Sequence, residues 1–401
     1  MRDLFLLDEN VIFLNHGSFG ACPREVFDVY QGWQLELERN PVEFLGRRSA
    51  QLLARARCRL GDFLGADPDH LVFLTNATTG VNTVARSLEF QPGDEILTTD
   101  HEYGACDNVW EFVCRRSGAR YVRCRLPLPL PEPESLAEFF WRSVTSKTRL
   151  IYLSHITSTT ALTLPVGEIC RRARAAGIPT LIDGAHAPGQ VPLELERLGA
   201  DFYTGNCHKW LCAPKGAGFL YTRPEHHERL EAAVISWGYS HTVTGHTAFD
   251  AYTGSTPYVR KHQWQGSRDI AAFLAVPAAI DFRDRHDWDR VIRDCHRLAR
   301  RTLERVCAMT GLAPIAGPES FVQMVAVPVP PLDPDRLKDM LFDRYRIEVP
   351  VTTHEDRLFV RPSFQGYNTP ADADALVAAL ADIYALPPAP GQRTGPAASS
   401  R

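Results

Sequence analysis

The stretch 179–209, PTLIDGAHAPGQVPLELERLGADFYTGNCHK, holds the residue types with the most chemical content. Asp183 closes an apolar run and is followed at once by GAH; a second short run then delivers the pair His208 and Lys209. In an open α/β sheet, ligands sit beyond the carboxyl ends of the strands, so Asp183 and Lys209 are expected to project into one cleft. An amine and a carboxylate placed there have a particular use if the ligand is a pyridine aldehyde. The amine forms an imine, and the carboxylate keeps the ring nitrogen protonated, which turns the ring into an electron sink. Either residue alone reads as something plainer, a turn or cap for Asp183 and a surface cation for Lys209. Two further features stand beside them. TNATTG at 75–80 joins a strand to a helix, and the free N–H groups of that helix start, with the hydroxyls of Thr78 and Thr79, form a site for a phosphate. Tyr103, in DHEYGA, falls where the next strand ends and could stack on the ligand's ring.

The elements that must position these groups follow an alternation of apolar strand, loop and amphipathic helix. Strands are expected at 71–75, 95–98, 119–124, 149–154, 179–183, 200–204 and 217–221, and helices at 80–88, 106–116 and 166–176. This pattern predicts an α/β fold with a mostly parallel sheet flanked by helices, in a large domain spanning 16–260. A smaller α+β domain is expected from 1–15 and 271–386, with a long helical region through 309, a strand near 321–327, a helix near 335–343, and strands at 347 and 358–361. The prolines at 127, 129, 131 and 133 mark a loop. The segment 387–401, PPAPGQRTGPAASSR, is rich in breakers and small polar residues and is expected to be disordered.

Composition removes several classes of function. The 401 residues carry 44 basic and 48 acidic side chains, a formal charge of -4, which leaves no polybasic footprint for nucleic acid. The apolar stretch 271–280 is about half the roughly 20 residues a membrane helix needs, and Pro277 interrupts it. No membrane association and no secretory segment are expected, and the reading is cytoplasmic. The ten cysteines are scattered without a CxxC pair and read as reduced thiols. HEYGA lacks the second histidine of a zinc helix, so no metal is expected.

Taken together, these residues resemble the fold-type I, pyridoxal 5'-phosphate (PLP) enzymes of aminotransferase class V, in the branch similar to isopenicillin N epimerase. The resemblance runs from LNHGSFG at 14–20 to RPSFQGYNT ending at 369. It implies that Lys209 carries the cofactor as an imine, Asp183 pairs with the pyridinium nitrogen, His186 contacts the phenolic oxygen and Tyr103 stacks on the ring. Thr78, Thr79 and His208 would hold the phosphate, with Asn206 where relatives more often have Ser. Gly266 and Ser267, in WQGSRD, match a segment that relatives send across a dimer interface, which implies a homodimer with shared active sites. Arg361 matches the residue that binds the substrate carboxylate, and its planar fork suits that task. Asn15 and His16 would line the substrate entrance. Arg47 and Arg48 read as a solvated helix face, although they could meet a distal acidic group.

The implied chemistry begins with removal of the Cα proton of an amino acid substrate by the free amine of Lys209. Epimerisation, β-elimination of a sulfur group and transamination diverge from that point. No cysteine follows Cys307, which disfavours a desulfurase working through an enzyme persulfide. The leading expectation is a β-eliminating carbon-sulfur lyase on a cysteine S-conjugate in specialised metabolism, with Tyr103 assisting proton or leaving-group transfer. An isopenicillin N-type epimerase is the first alternative, with His16, His101 or Tyr103 as the opposite-face proton donor. A decarboxylation-coupled deaminase or an aminotransferase is the second. The segment 238–258, rich in Gly, His, Thr and Tyr, is a candidate substrate-facing loop.

Overall fold

The computed structural model describes residues 1–239 and 254–386. At its centre lies a seven-stranded sheet in the order Leu71–Leu74, Gly218–Thr222, Phe202–Asn206, Thr180–Gly184, Thr148–Ser154, Glu95–Thr99, Arg120–Cys124. Gly218–Thr222 runs antiparallel to both neighbours; the other contacts are parallel. Strands buried on both faces read as unbroken apolar runs, and Leu71–Leu74 and Phe202–Asn206 are buried at every position. The expected strands of this sheet are all present, shifted by one or two residues at their ends.

Helices cover both faces. Ala77–Ser87 begins at Asn76, whose side chain accepts from the Thr79 N–H. Gly104–Ser117 ends at Gly118 in the left-handed region, φ 77°, where a glycine carries no Cβ penalty. The sequence pattern does not show several helices, the longest of them Arg24–Arg39, Ser49–Leu64 and Pro370–Ile383. Pro133–Trp141 likewise replaces the end of the proline loop, with Pro133 in the first turn, where its missing N–H costs nothing.

A three-stranded antiparallel sheet, Val351–His354, Arg357–Val360 and Val327–Val329, forms the smaller layer. The expected strand near 321–327 is therefore corrected to Val327–Val329: residues 321–326 are an apolar run whose backbone turns, leaving only a bridge from Met324 to Ser363. The helical region 271–309 is three helices, Ala271–Leu274, Val276–Arg285 and Trp288–Thr310. The break before the last is set by Asp287, whose φ of 45° takes the chain out of the helix and whose side chain caps the next. Trp288–Thr310 then buries Val291, Cys295, Ala299, Thr302, Leu303 and Val306 along one stripe.

The N-terminal strand Ile12–Phe13 pairs with Ile347–Glu348, so the first residues of the chain lie among the last. Among the described residues no helix is long and apolar enough to cross a membrane. All ten cysteines are unpaired. Residues 387–401 and most of the 238–258 segment lie outside the described residues.

Candidate active site

Beyond the carboxyl ends of Thr180–Gly184 and Phe202–Asn206 opens a cavity of about 200 Å³ lined by Asp183, His186, Asn206, His208 and Lys209, with Thr78 and Tyr103 on its wall. The loop after each strand delivers these groups to one place, as the strand order requires.

Lys209 gives up its proton far more readily than an exposed lysine. Burial, and then the neighbouring Arg361 guanidinium, lower its amine to about 8. Its Nζ lies 3.2 Å from His186 Nε2. The Trp210 indole N–H donates to His186 Nδ1 at 3.2 Å, and an indole can only donate. His186 Nδ1 is therefore the acceptor, and a neutral ring carries its proton on Nε2, facing the lysine. Burial followed by the Lys209 charge pushes the imidazolium well below its ordinary range, which keeps the ring neutral.

Asp183 is 3 % exposed. It accepts from the Ala185 N–H at 2.9 Å, from the Tyr152 hydroxyl at 3.3 Å and from the Cys106 thiol at 3.7 Å. None of these donors is a cation. Burial raises its carboxyl above the usual range, so the site has a carboxylate that awaits a positive partner. A pyridinium N–H supplies one, and the residues present thus fit PLP at its ring end.

The phosphate end is more constrained than the sequence suggests. Asn206 Oδ1 takes the Ala77 N–H at 2.9 Å, and Asn76 Oδ1 takes the Thr79 N–H at 2.9 Å. The Thr79 hydroxyl bonds Asn76 and Thr75. Thr78 reaches the cavity wall, whereas Thr79 serves the cap. His208 donates from Nδ1 to the Ala217 carbonyl at 3.1 Å, and burial with the Lys209 charge lowers its imidazolium to about 4. A phosphate oxygen can be held by its Nε2 only with a proton between them. Gly266 and Ser267 do not line this cavity.

Arg361 is buried, with the Ser158 carbonyl and hydroxyl on Nη1 and the Ser18 hydroxyl on Nη2 at 3.5 Å. Its Nε has no partner. Burial lowers the guanidinium to about 10 without removing its charge. The glycine loop 15–20 reaches the cavity through Ser18 and Phe19. Asn15 and His16, expected at the entrance, lie elsewhere: the Asn15 amide donates to Glu348 at 3.2 Å, and His16 is fully buried between the Tyr367 hydroxyl and the Lys209 carbonyl, each at 3.0 Å. His16 is a strut under the lysine. Gly20 completes that contact at φ 73°, and a Cβ there would stand 2.0 Å from the His208 carbonyl. Gly20→Ala is expected to destabilise the fold by roughly 2 kcal/mol or more, read from urea unfolding, and to weaken cofactor retention. An unchanged midpoint would show that the loop does not bear on the lysine.

Sequence reasoning missed Glu102. Its buried carboxylate accepts from the Thr99 hydroxyl at 2.6 Å and from the Ser154 N–H and hydroxyl at 2.8 and 2.6 Å, fixing Ser154 on the cavity wall. Burial raises Glu102 to about 7. Glu102 stands three residues past the strand Glu95–Thr99, and no local pattern marks it as buried. His101 is turned away from the cavity and stacks on His354 with ring centroids 3.9 Å apart. Arg48 is half-buried at the end of the helical turn Phe44–Arg48 and pairs with Glu36 and Glu43; neither it nor Arg47 lines the cavity among the described residues.

Comparison with known proteins agrees with this geometry. The chain is 39% identical to isopenicillin N epimerase of Streptomyces clavuligerus over 384 residues, covering 94% of this chain and 96% of the relative. It is 27% identical to a probable chloroplastic L-cysteine desulfhydrase of Arabidopsis thaliana, covering 91% and 81%. In fold it is similar to a C-DES variant with glycine covalently linked to its PLP cofactor, at a TM-score of 0.78 and 22% identity, covering 95% of this chain and 99% of the other. The sequence model of the class-V aminotransferases matches residues 13–376. With a buried lysine, an unpaired buried acid and a match along nearly its whole length, the chain belongs to the aminotransferase class-V family of PLP-dependent enzymes.

Proposed function

We propose that the chain removes the Cα proton of an amino acid whose carboxylate is held by Arg361, and that elimination of a β-sulfur group from a cysteine S-conjugate follows. The observation that carries the reading is Lys209, lowered to about 8 and, among the described residues, the one amine on the cavity wall. When bound, PLP supplies an aldehyde to engage the substrate amine and a protonated ring that draws electrons from Cα.

The chain's own residues do the rest. Asp183 holds the ring-nitrogen proton in place. His186, with its proton fixed on Nε2 by Trp210, donates towards the phenolic oxygen. Thr78 holds the phosphate, and His208 joins it where a phosphate proton lies between an oxygen and its Nε2. Arg361, with an unpartnered Nε and a fork braced by Ser158 and Ser18, binds the carboxylate bidentately and aligns the Cα–H bond with Lys209. Lys209 Nζ takes the Cα proton. The Cβ–S bond then breaks with its electron pair on sulfur, and Lys209 or Tyr103 returns a proton to the leaving thiol. Gly266 and Ser267 complete the phosphate site of a second copy in a homodimer.

Epimerisation is the second reading, favoured by the similarity to isopenicillin N epimerase. It needs a donor on the face opposite Lys209. His16 and His101 are buried away from the cavity, which leaves Tyr103 for that task. The two readings part in one experiment. With a cysteine S-conjugate in deuterated water, elimination yields pyruvate, ammonia and free thiol; epimerisation yields no pyruvate and a Cα-deuterated product of inverted configuration. Deuterium at Cα without pyruvate sinks the lyase reading, and neither product sinks proton removal at Cα for this substrate class.

A further inference from the structure

A second constellation of chemical groups lies outside the cavity, where the two layers of the fold meet. His101 follows the strand Glu95–Thr99 of the large sheet, and His354 ends the strand Val351–His354 of the small one. Their imidazoles are 1 % and 8 % exposed and stack at 22°. Each presents a buried Nε2 with no hydrogen-bond partner among the described residues. Both nitrogens face the carboxylate of Asp100, at 3.7 Å for His101 and 3.6 Å for His354, too far for a hydrogen bond. Two orphaned ring nitrogens aimed at one carboxylate are costly unless something sits between them.

We propose that Asp100, His101 and His354 bind a divalent transition-metal ion of the zinc type, stapling the small sheet to the loop that carries Tyr103. Two imidazoles and one carboxylate are a nitrogen-rich donor set suited to zinc and its neighbours and unsuited to calcium or magnesium, which take oxygen ligands. The three donor atoms lie within 4.8 Å of one another. Bonds of 2.0–2.1 Å at a tetrahedral angle place donors roughly 3.3 Å apart, so each donor must close by under about 1 Å, and because each Nε2 lone pair lies in its ring plane, the two imidazoles must also rotate out of their 22° stack to point at one ion.

Outer contacts are already in place. The Thr160 hydroxyl meets His101 Nδ1 at 2.8 Å, and the Leu126 N–H donates to Asp100 Oδ1 at 3.0 Å, leaving Oδ2 for the ion. The Thr352 hydroxyl donates to the Thr159 carbonyl at 3.0 Å, so the strand of His354 is already joined beside the site to the loop that carries Thr160. A sequence search for metal-ligand spacing finds nothing here, because the two histidines come from distant parts of the chain.

The test uses the tagless holoenzyme, cleared of metal with a chelator and titrated with zinc chloride by calorimetry and thermal melting. One zinc per chain is expected, with a rise in melting temperature. His354→Gln and Asp100→Asn are expected to lose that equivalent and the thermal rise while keeping the far-ultraviolet dichroism and the cofactor's yellow colour. His226→Asn, which removes the histidine of the separate Asp201, Glu225 and His226 group, should keep both. If His354→Gln does not fold, the near-isosteric Asp100→Asn decides. No uptake by the wild-type chain, as a bridging water would give, overturns the proposal, as does uptake that survives Asp100→Asn undiminished.

Discussion

Lys209→Ala is expected to give a folded, colourless protein whose turnover is lower by at least roughly 1000-fold, because one amine both tethers the cofactor and moves the proton. Absorbance of the purified protein after soaking in PLP, with borohydride reduction and mass analysis, checks the tether; pyruvate or deuterium assays check the turnover. A yellow, borohydride-sensitive variant would place the imine elsewhere. The wild-type lysine also sets a pH dependence. Only the neutral amine attacks an aldehyde, and burial with Arg361 holds Lys209 at about 8, against an ordinary 10.5. Cofactor uptake by the apo chain should therefore rise with pH and level off above about 8. Stability follows with a definite sign. The folded pKa lies below the unfolded one, so the unfolded chain binds more protons between the two, and the cost of burying the ammonium is full below about 8 and fades as pH climbs towards 10.5. Lys209→Ala should flatten that part of the curve.

Asp183→Asn separates catalysis from folding. The amide keeps an oxygen for the Ala185 N–H, so the local turn survives. It cannot hold a pyridinium proton, and losing a charge-assisted hydrogen bond worth up to about 3 kcal/mol lowers turnover by roughly 100-fold. The apo protein should be no less stable than wild type. Its buried carboxyl titrates above the ordinary range, so the charged form's penalty is absent below that range and grows as pH rises through the folded value. Asparagine removes that penalty. Steady-state kinetics and apo melting curves read the two effects, and wild-type turnover in the variant would mean that this acid does not hold the ring.

The seven-stranded sheet and the groups at its carboxyl ends were legible because each is written locally. Asp183 and Lys209 end short apolar runs, and Thr78 and Tyr103 stand at strand-to-helix turns, where periodicity changes within a few residues. What stayed hidden depends on distant partners. His16 reads as a cavity residue in LNHGSFG, yet its role is set by Tyr367 and by the Lys209 carbonyl, which no local pattern reveals. Thr79 looks equivalent to Thr78 until Asn76 claims it. Glu102 and the His101–His354 stack need the tertiary fold to become visible. Residues 321–326 show the limit for elements: an apolar run is compatible with strand or with buried turns, and only packing decides.

The strut beneath the lysine has a consequence for biogenesis. His16 is synthesised 351 residues before Tyr367 and 349 before Gln365, which hold its ring. At ordinary elongation speeds of about 5–20 residues per second, the roughly 140 residues between the last strand of the central sheet and Gln365 take about 7–30 s, during which the lysine loop lacks that support. Cofactor retention is therefore expected to depend on the segment that carries Gln365 and Tyr367, and a chain cut before it is expected to hold PLP poorly.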